Sequence, residues 1–128
     1  MLILDTSVWI EFLRQNPQYS KNIRELLESK AILAVECVFA ELLQGVRTKA
    51  EKRIILQYWE YLPKINLPQV MLDAGLYFSG NKLSAKGIGL IDAIILMHAL
   101  HSKAKIWTLD KKFQKIIPQE LLYNELTS

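Results

Sequence analysis

Four carboxylates stand in apolar surroundings, and their positions make them the residues best suited to chemistry. They are Asp5, Glu41, Asp92 and Asp110. Asp5 and Asp110 each follow a short apolar run that is typical of a buried strand, and Asp92 interrupts the apolar segment 88–97. Burying an unpaired carboxylate costs several kcal/mol. We therefore expect these groups to have a polar partner or a bound cation.

A divalent cation would explain why several carboxylates should converge. At about 5 Å separation, two carboxylates repel each other by roughly 3 kcal/mol at an effective dielectric constant of about 20. A hard cation with oxygen ligands, Mg²⁺ or Mn²⁺, would offset this repulsion. Such ions also bind phosphate oxygens and activate water. The four acids therefore indicate a metal-dependent hydrolase acting on phosphodiesters.

The distribution of positive charge favours a nucleic-acid partner. The chain has 16 Lys and Arg residues against 13 Asp and Glu residues, which gives a formal net charge of +3. Five lysines lie close together near the C-terminus, with Asp110 as the one acid among them. They are Lys103, Lys105, Lys111, Lys112 and Lys115. Lysines of this kind would bind a nucleic-acid backbone beside the acids, although a merely solvated, lysine-rich edge is the alternative.

The elements that must position these side chains alternate between strand and helix. Strands are predicted at 1–5, 31–35 and 105–109, with short extended pieces at 62–67 and 121–123. Helices are predicted at 8–13, 20–30 (capped by Ser20), 36–46, 49–61, 69–86, 90–102 and 111–117. This alternation predicts a parallel sheet covered by helices. Functional sites in such folds lie beyond the carboxyl ends of the strands, where Asp5 and Asp110 are expected.

Composition excludes several other classes of protein. The chain has 128 residues, 51% of them hydrophobic and 23% charged, which predicts one folded domain over residues 1–128. Cys37 is the single cysteine, so neither a disulfide framework nor a cysteine zinc site is expected. The longest uncharged run, 93–102, is too short to cross a membrane, and the N-terminus is a poor signal peptide. We expect a cytoplasmic protein.

Four segments, taken in order, resemble the PIN-domain nucleases, and within them the VapC-like toxin ribonucleases of bacterial and archaeal toxin–antitoxin pairs. The segments are 4–10 (LDTSVWI), 41–45 (ELLQG), 89–95 (GLIDAII) and 106–113 (IWTLDKKF). The resemblance implies a three-layer α/β/α sandwich with a mostly parallel central sheet. It also implies an acidic pocket that binds one or two Mg²⁺ or Mn²⁺ ions and cleaves RNA endonucleolytically.

The same resemblance implies roles for individual residues. Asp5 and Asp92 would be metal ligands, and Glu41 would be a ligand or base. Asp110 would be a ligand, directly or through water. Thr6 and Thr108 would be supporting hydroxyls behind these acids. Many relatives carry a further acid at the position of Lys112, and this departure argues against a fully occupied second metal site.

Two protein partners are expected. A small antitoxin would place an arginine or lysine in the acidic pocket, with Glu36 and Glu41 as acceptors, and an apolar helix beside Trp9 and Phe12. A homodimer is expected because the helices at 36–61 carry many large apolar side chains. These are Phe39, Leu43, Val46, Ile54, Ile55, Tyr58 and Trp59.

Other functions remain open from the sequence. The same chemistry would serve a housekeeping RNA-processing PIN nuclease, and a catalytically inactive RNA-binding PIN module is a further alternative. A phospho-receiver domain usually has adjacent acids after its first strand, whereas Asp5 precedes Thr6 and Ser7. A metal-free ribonuclease would depend on His98 and His101, which are more simply explained as core or helix-end residues.

Overall fold

A small parallel sheet forms the centre of the computed structural model, which describes residues 1–124. Its strands are β1 (Leu2–Leu4), β2 (Ala34–Val35), β3 (Lys64–Ile65) and β4 (Lys105–Trp107). β1 pairs with β4 and β2 pairs with β3, both in parallel. Parallel bridges from Leu2 to Ile32 and from Ile106 to Leu122 extend the pairing. The order across the molecule is therefore β3, β2, β1, β4 and the segment at Leu122.

Seven α-helices within residues 1–124 surround the sheet and make the fold an α/β sandwich. They are α1 (Thr6–Leu13), α2 (Pro17–Glu28), α3 (Glu36–Gln44), α4 (Lys49–Tyr61), α5 (Pro68–Gly80), α6 (Leu90–Ser102) and α7 (Lys111–Ile116). Short 3₁₀ turns occupy Leu83–Lys86 and Gln119–Leu121. No helix in this part of the chain is long and apolar enough to cross a membrane. The predicted α/β sandwich with a parallel sheet is confirmed.

The core lies between β1, β4 and the middle of α6. All three residues of β1 are buried, as is every residue from Ala93 to Ala99 in α6. A helix that is apolar on nearly all sides has to be enclosed, which explains the position of α6. A second apolar cluster forms where Trp9 packs edge-on against Phe12 and Phe39. These contacts fix α1, which Asp5 caps, and α3, which carries Glu41 within it.

The predicted start of the second helix at Ser20 is wrong. α2 begins at Pro17, and the side chain of Asn16 caps it by accepting a hydrogen bond from the backbone N–H of Gln18 at 3.0 Å. Proline fits the first position of a helix because its missing N–H would have no partner there. The Asn-Pro pair therefore begins α2, in addition to ending the preceding segment.

The predicted helix at 69–86 is interrupted in the structure. α5 ends at Gly80, and Lys82 has a left-handed backbone with φ of 51° before the 3₁₀ turn begins. That turn ends at Gly87, whose φ is 75°. Glycine is favoured there because its backbone adopts this positive φ without strain, whereas a Cβ atom, 3.1 Å from the Nζ of Lys112, would only require that flexible side chain to shift.

The predicted strands at 31–35, 105–109 and 121–123 are shorter than expected. β4 ends at Trp107 because the backbone N–H of Leu109 donates to the Ser7 hydroxyl at 3.0 Å, in place of a strand partner. The last predicted strand is reduced to one bridge at Leu122. The chain thus leaves the sheet early where it enters the region of the predicted acids.

Candidate active site

The pairing of β1 with β4 brings two distant parts of the chain together. The register places Leu4 opposite Trp107, so Asp5 and Thr108 come next to each other beyond the carboxyl ends of their strands. The backbone N–H of Asp5 donates to the carbonyl oxygen of Trp107 at 3.1 Å. The Asp5 side chain caps α1 and is 4% exposed. A buried carboxylate therefore lies where the carboxyl ends of β1 and β4 meet.

Hydroxyl groups supply the partners that the Asp5 carboxylate needs. Thr108 donates to its Oδ2 atom and Ser7 donates to its Oδ1 atom. Burial raises the pKa of Asp5 above its ordinary value, and the hydrogen bonds from Ser7 and Thr108 oppose that shift. Thr108 also accepts from the backbone N–H of Asp110 at 3.0 Å. One hydroxyl therefore connects two of the predicted acids.

All four predicted acids line one pocket of about 340 Å³. Thr6 donates to the carboxylate of Glu41. Asp92 accepts from the backbone N–H of Gly89 at 3.3 Å, where α6 begins. Asp110 caps α7 by accepting from the backbone N–H groups of its second and third residues. Acids from four separate elements therefore meet at one edge of the sheet.

Asp92 responds most clearly to the other acids. Burial is the largest cause that raises its pKa, and the charges of Asp5, Asp110 and Glu41 raise it further. The backbone N–H of Gly89 lowers it in part, and the resulting pKa is about 6. Asp92 is thus electrostatically coupled to the other three acids of the pocket.

The donor set of this pocket suits a hard divalent cation, since four carboxylates surround a space with no lysine or arginine among its lining residues. Within residues 1–124, no three His, Cys, Asp or Glu side chains are grouped closely enough to hold an ion as they stand. Each carboxylate instead faces a local N–H or O–H donor. Mutual repulsion keeps such groups apart when no positive charge lies between them.

Ser7 is the residue of this site that the sequence analysis missed. It follows Asp5 by two positions, where a serine is equally well explained as a helix cap. Its hydroxyl contacts both Asp5 and the backbone of Leu109. Two arginines, Arg14 and Arg47, were also missed, and they line a pocket of about 260 Å³ that shares Glu41 with the acidic pocket. No spacing in the sequence connects them.

The five predicted RNA-binding lysines do not form one surface. Lys103 and Lys105 lie at the amino end of β4, opposite the edge that carries the acids. Lys111, Lys112 and Lys115 are on α7, which begins directly after Asp110. The structure therefore places only the α7 lysines beside the acidic pocket.

The two histidines do not form a second centre. His98 is 1% exposed, its Nδ1 lies 2.8 Å from the carbonyl oxygen of Ile94, and its Nε2 accepts from the backbone N–H of Leu67. His101 is exposed and lies 3.9 Å from the carboxylate of Asp73 on α5. Both ring nitrogens of His98 are thus used within the fold.

Part of the predicted partner surface is buried. Trp9 is 1% exposed and cannot line a groove, because Phe12, Phe39 and Tyr58 surround it. Phe12 does line one, a groove of about 630 Å³. Ile55 and Phe39 from the predicted dimer set are also buried within the chain. Glu36 lies outside the acidic pocket, whereas Glu41 lies inside it.

A comparison with protein families decides the identity of the fold. The family described as PIN domain matches residues 2–117. The chain belongs to the PIN domain family. Proteins of this family are generally nucleases. The resemblance to PIN-domain proteins seen in the sequence is therefore confirmed.

Three solved structures share this fold over most of the chain. VapBC2 from Rickettsia felis, bound to a DNA fragment from its promoter, has 25% identity, a TM-score of 0.70 and 96% coverage of both chains. VapBC-1 from nontypeable Haemophilus influenzae has 24% identity, a TM-score of 0.64 and coverages of 99% and 98%. FitAcB from Neisseria gonorrhoeae has 19% identity, a TM-score of 0.54 and coverages of 88% and 90%. No curated protein sequence matches the chain.

The raised pKa of Asp92 predicts that this side chain lowers the stability of the PIN domain at neutral pH when EDTA is present. Because the pKa of Asp92 is about 6 in the fold and 3.8 ordinarily, the contribution of Asp92 to stability is most favourable below pH 3.8 and is lost as the pH rises through 6. The Asp92→Asn substitution removes this destabilisation, because asparagine carries no charge at any of these pH values. We expect it to be more stable than the unchanged protein at pH 7.5 by about 1 kcal/mol, after allowance for solvent screening.

Urea unfolding in EDTA at pH 3.5 and pH 7.5 measures this difference. The two proteins should have nearly equal free energies of unfolding at pH 3.5. At pH 7.5 the free energy of unfolding should be higher for Asp92→Asn. Glu25→Gln, on the exposed side of α2, is the matched control, and its free energy of unfolding should equal that of the unchanged protein at both pH values. An Asp92→Asn protein that is no more stable at pH 7.5 contradicts the raised pKa of Asp92 and the burial that is its main cause.

Proposed function

We propose that this PIN domain is a metal-dependent endoribonuclease and the toxin of a toxin–antitoxin pair, acting in the cytoplasm. The observation that carries the proposal is the single pocket lined by Asp5, Glu41, Asp92 and Asp110. The similarity to VapBC structures supports the toxin assignment. A housekeeping RNA-processing nuclease with the same chemistry, or an inactive RNA-binding module, are the alternatives that the experiments below distinguish.

In this proposal Asp5 and Asp92 hold Mg²⁺ or Mn²⁺, with Glu41 and Asp110 contributing directly or through water. When bound, the ion supplies an activated water and stabilises the charge that develops on the phosphate oxygens. Thr108 and Ser7 fix the orientation of Asp5, and Thr6 fixes that of Glu41. These hydroxyls hold the two carboxylates in place in the lining of the acidic pocket.

Asp92→Asn is expected to lower RNA cleavage by at least about 100-fold, since it removes a charge that holds the cation. Asp5→Asn should have the same effect. Cleavage of a heteropolymeric RNA should stop in EDTA and return with Mg²⁺ or Mn²⁺. The assay is product formation on a sequencing gel, with the fold checked by circular dichroism.

Asp73→Asn is the control for that assay, because Asp73 is a half-exposed carboxylate on α5 outside the acidic pocket. It should cleave at the unchanged rate. An Asp92→Asn protein that cleaves normally would overturn the assignment of the site. Binding of RNA by a folded protein that never cleaves would favour the inactive RNA-binding module.

RNA binding is proposed to use the lysines of α7. Lys111 and Lys112 begin that helix immediately after Asp110, and both are exposed. Each phosphate contact that is lost should reduce the slope of log affinity against log salt by about 0.7 on single-stranded RNA. We expect Lys111→Ala/Lys112→Ala to weaken binding and to flatten this slope by about 1.4. Fluorescence anisotropy over a salt series measures both effects.

Lys103→Ala/Lys105→Ala provides a control with the same change in charge. These lysines lie at the opposite edge of the sheet, so binding and slope should change much less. Equal effects from both double variants would show that only net charge matters. The α7 lysines would then have no specific role in binding the backbone.

The antitoxin is proposed to occupy a continuous path from an apolar groove to the acids. The larger groove, lined by Phe12, Ile54 and Tyr58, shares Leu13 with the pocket that contains Arg14. The pocket that contains Arg14 in turn shares Thr6 and Glu41 with the acidic pocket. An apolar helix in the groove would therefore direct a following arginine or lysine towards the carboxylates.

Expression of the active protein alone in bacteria is expected to stop growth, and co-expression of the neighbouring small open reading frame is expected to restore it. Ile54→Glu should keep its toxicity and lose this rescue, because Ile54 is 38% exposed in the groove. Leu56→Glu, 40% exposed on the same helix but outside the groove, should be rescued normally. An active enzyme without any growth defect would point to housekeeping RNA processing.

A homodimer is proposed as well, through α5 rather than through the helices at 36–61. Leu72 and Leu76 lie one turn apart on α5 and are 68% and 74% exposed. Water-exposed apolar pairs of this kind are commonly covered by a two-fold contact between identical chains. Sedimentation at micromolar concentration should give a dimer for the unchanged chain and a monomer for Leu72→Glu/Leu76→Glu. Leu56→Glu should remain dimeric, and a monomeric unchanged chain would contradict the proposal.

A further inference from the structure

A second pocket, of about 370 Å³, opens at the carboxyl ends of β2 and β3, beside the acidic pocket. We propose that it binds an unpaired guanine of the RNA substrate, adjacent to the phosphate that is cut. The proposal rests on the proposed nuclease function and adds what determines the choice of cleavage site. The volume lies within the range of about 300–1,000 Å³ that is typical of sites for small ligands.

The two pockets are neighbours because the same two helices border both. On α3, Ala40 lines the second pocket and Glu41 lines the acidic one. On α6, Ile94 lines the second pocket and Ile91 lines the acidic one. Three residues advance an α-helix by about 4.5 Å. A nucleic-acid strand lying along this edge therefore reaches both pockets with one nucleotide.

The walls of the second pocket suit the flat faces of a base. Ile94 is 4% exposed at its floor, and Pro68 and Met71 stand at one side on α5. His98 also lines it, but both ring nitrogens are already paired within the fold. Ile94, Pro68 and Met71 therefore offer apolar contact to the face of a base, and the imidazole of His98 is the aromatic ring among the lining residues.

The polar groups of the pocket favour a ligand with adjacent N–H donors. Glu36 accepts from the side-chain amide of Asn66 through Oε2 at 2.8 Å. That bond leaves the Oε1 atom of Glu36 and the Oδ1 atom of Asn66 as acceptors, and both residues are exposed. Guanine presents N1–H and N2–H next to each other on its Watson–Crick edge. Adenine and cytosine place a ring-nitrogen acceptor there, which would face the carboxylate.

An arginine from a partner protein is the other ligand with adjacent N–H donors. It is disfavoured because Glu36 is the one carboxylate among the lining residues, and it already accepts from Asn66. A guanidinium group has five N–H donors and a full charge to satisfy. Against Ile94 and Val35, which are 4% and 2% exposed, that charge would be poorly compensated.

Sequencing of cleavage products from a random-sequence RNA pool tests the proposal during catalysis. Sites cut by the unchanged protein should be enriched in guanosine at one position next to the cleaved bond. Glu36→Gln should lower that enrichment about tenfold or more, while total cleavage of the pool continues. Glu25→Gln is the matched control and should retain the preference. An unchanged preference in a folded, active Glu36→Gln protein overturns the proposal.

A binding measurement keeps this test independent of cleavage. Guanosine monophosphate should shift the NMR signals of the Asn66 side-chain amide and the Met71 methyl group saturably. Inosine monophosphate, which lacks the 2-amino group, should bind at least several-fold more weakly, and Glu36→Gln should remove the difference. If guanosine monophosphate binds but no RNA is cut, the nuclease proposal fails and the base site stands. If N-acetyl-arginine amide binds more tightly than guanosine monophosphate, the base assignment is overturned.

Discussion

The burial of one carboxylate, Asp5, is the constraint on which the rest of the acidic pocket depends. A charge at 4% exposure is tolerated only with hydrogen bonds on both of its oxygens, and Thr108 and Ser7 supply them. Because Thr108 follows β4 and Ser7 follows β1, satisfying the carboxylate also ties the two strands together at their carboxyl ends. The same hydroxyls bind the backbone of Leu109 and Asp110, so the next acid is positioned by the first.

The remaining acids give the pocket a charge that the fold does not neutralise. Glu41 accepts a hydrogen bond from a hydroxyl, and Asp92 and Asp110 accept from backbone N–H groups. None of these three carboxylates forms an ion pair with a lysine or arginine among residues 1–124. Positive side chains lie outside, on α7. An arrangement with negative charge inside and positive charge around it attracts a cation to the centre and a polyanion to the rim. The fold thus places a pocket of uncompensated carboxylates next to the lysines of α7.

Local patterns in the sequence were sufficient to predict the sheet edge and its acids, because an apolar run followed by a carboxylate identifies a strand end within five residues. The helix around Asp92 was predictable because its sequence is apolar on nearly all sides. Features that depend on contacts across the fold were not. Lys103 and Lys111 are close in sequence, yet a whole strand separates them and places them at opposite edges. The end of α5 has a signal in Gly80 and Asn81, which the predicted helix at 69–86 ran through, whereas the left-handed backbone at Lys82 is rare for lysine.

The pairing of the first strand with the fourth has a consequence for the time at which this pocket appears during synthesis. Thr108 contacts Asp5 across a sequence separation of 103 residues. At roughly 5–20 residues per second, translation of that interval takes about 5–20 s. During this period β1 and α1 have left the ribosome without the partner that completes the pocket. The acidic pocket is therefore incomplete until nearly all of the chain has been made.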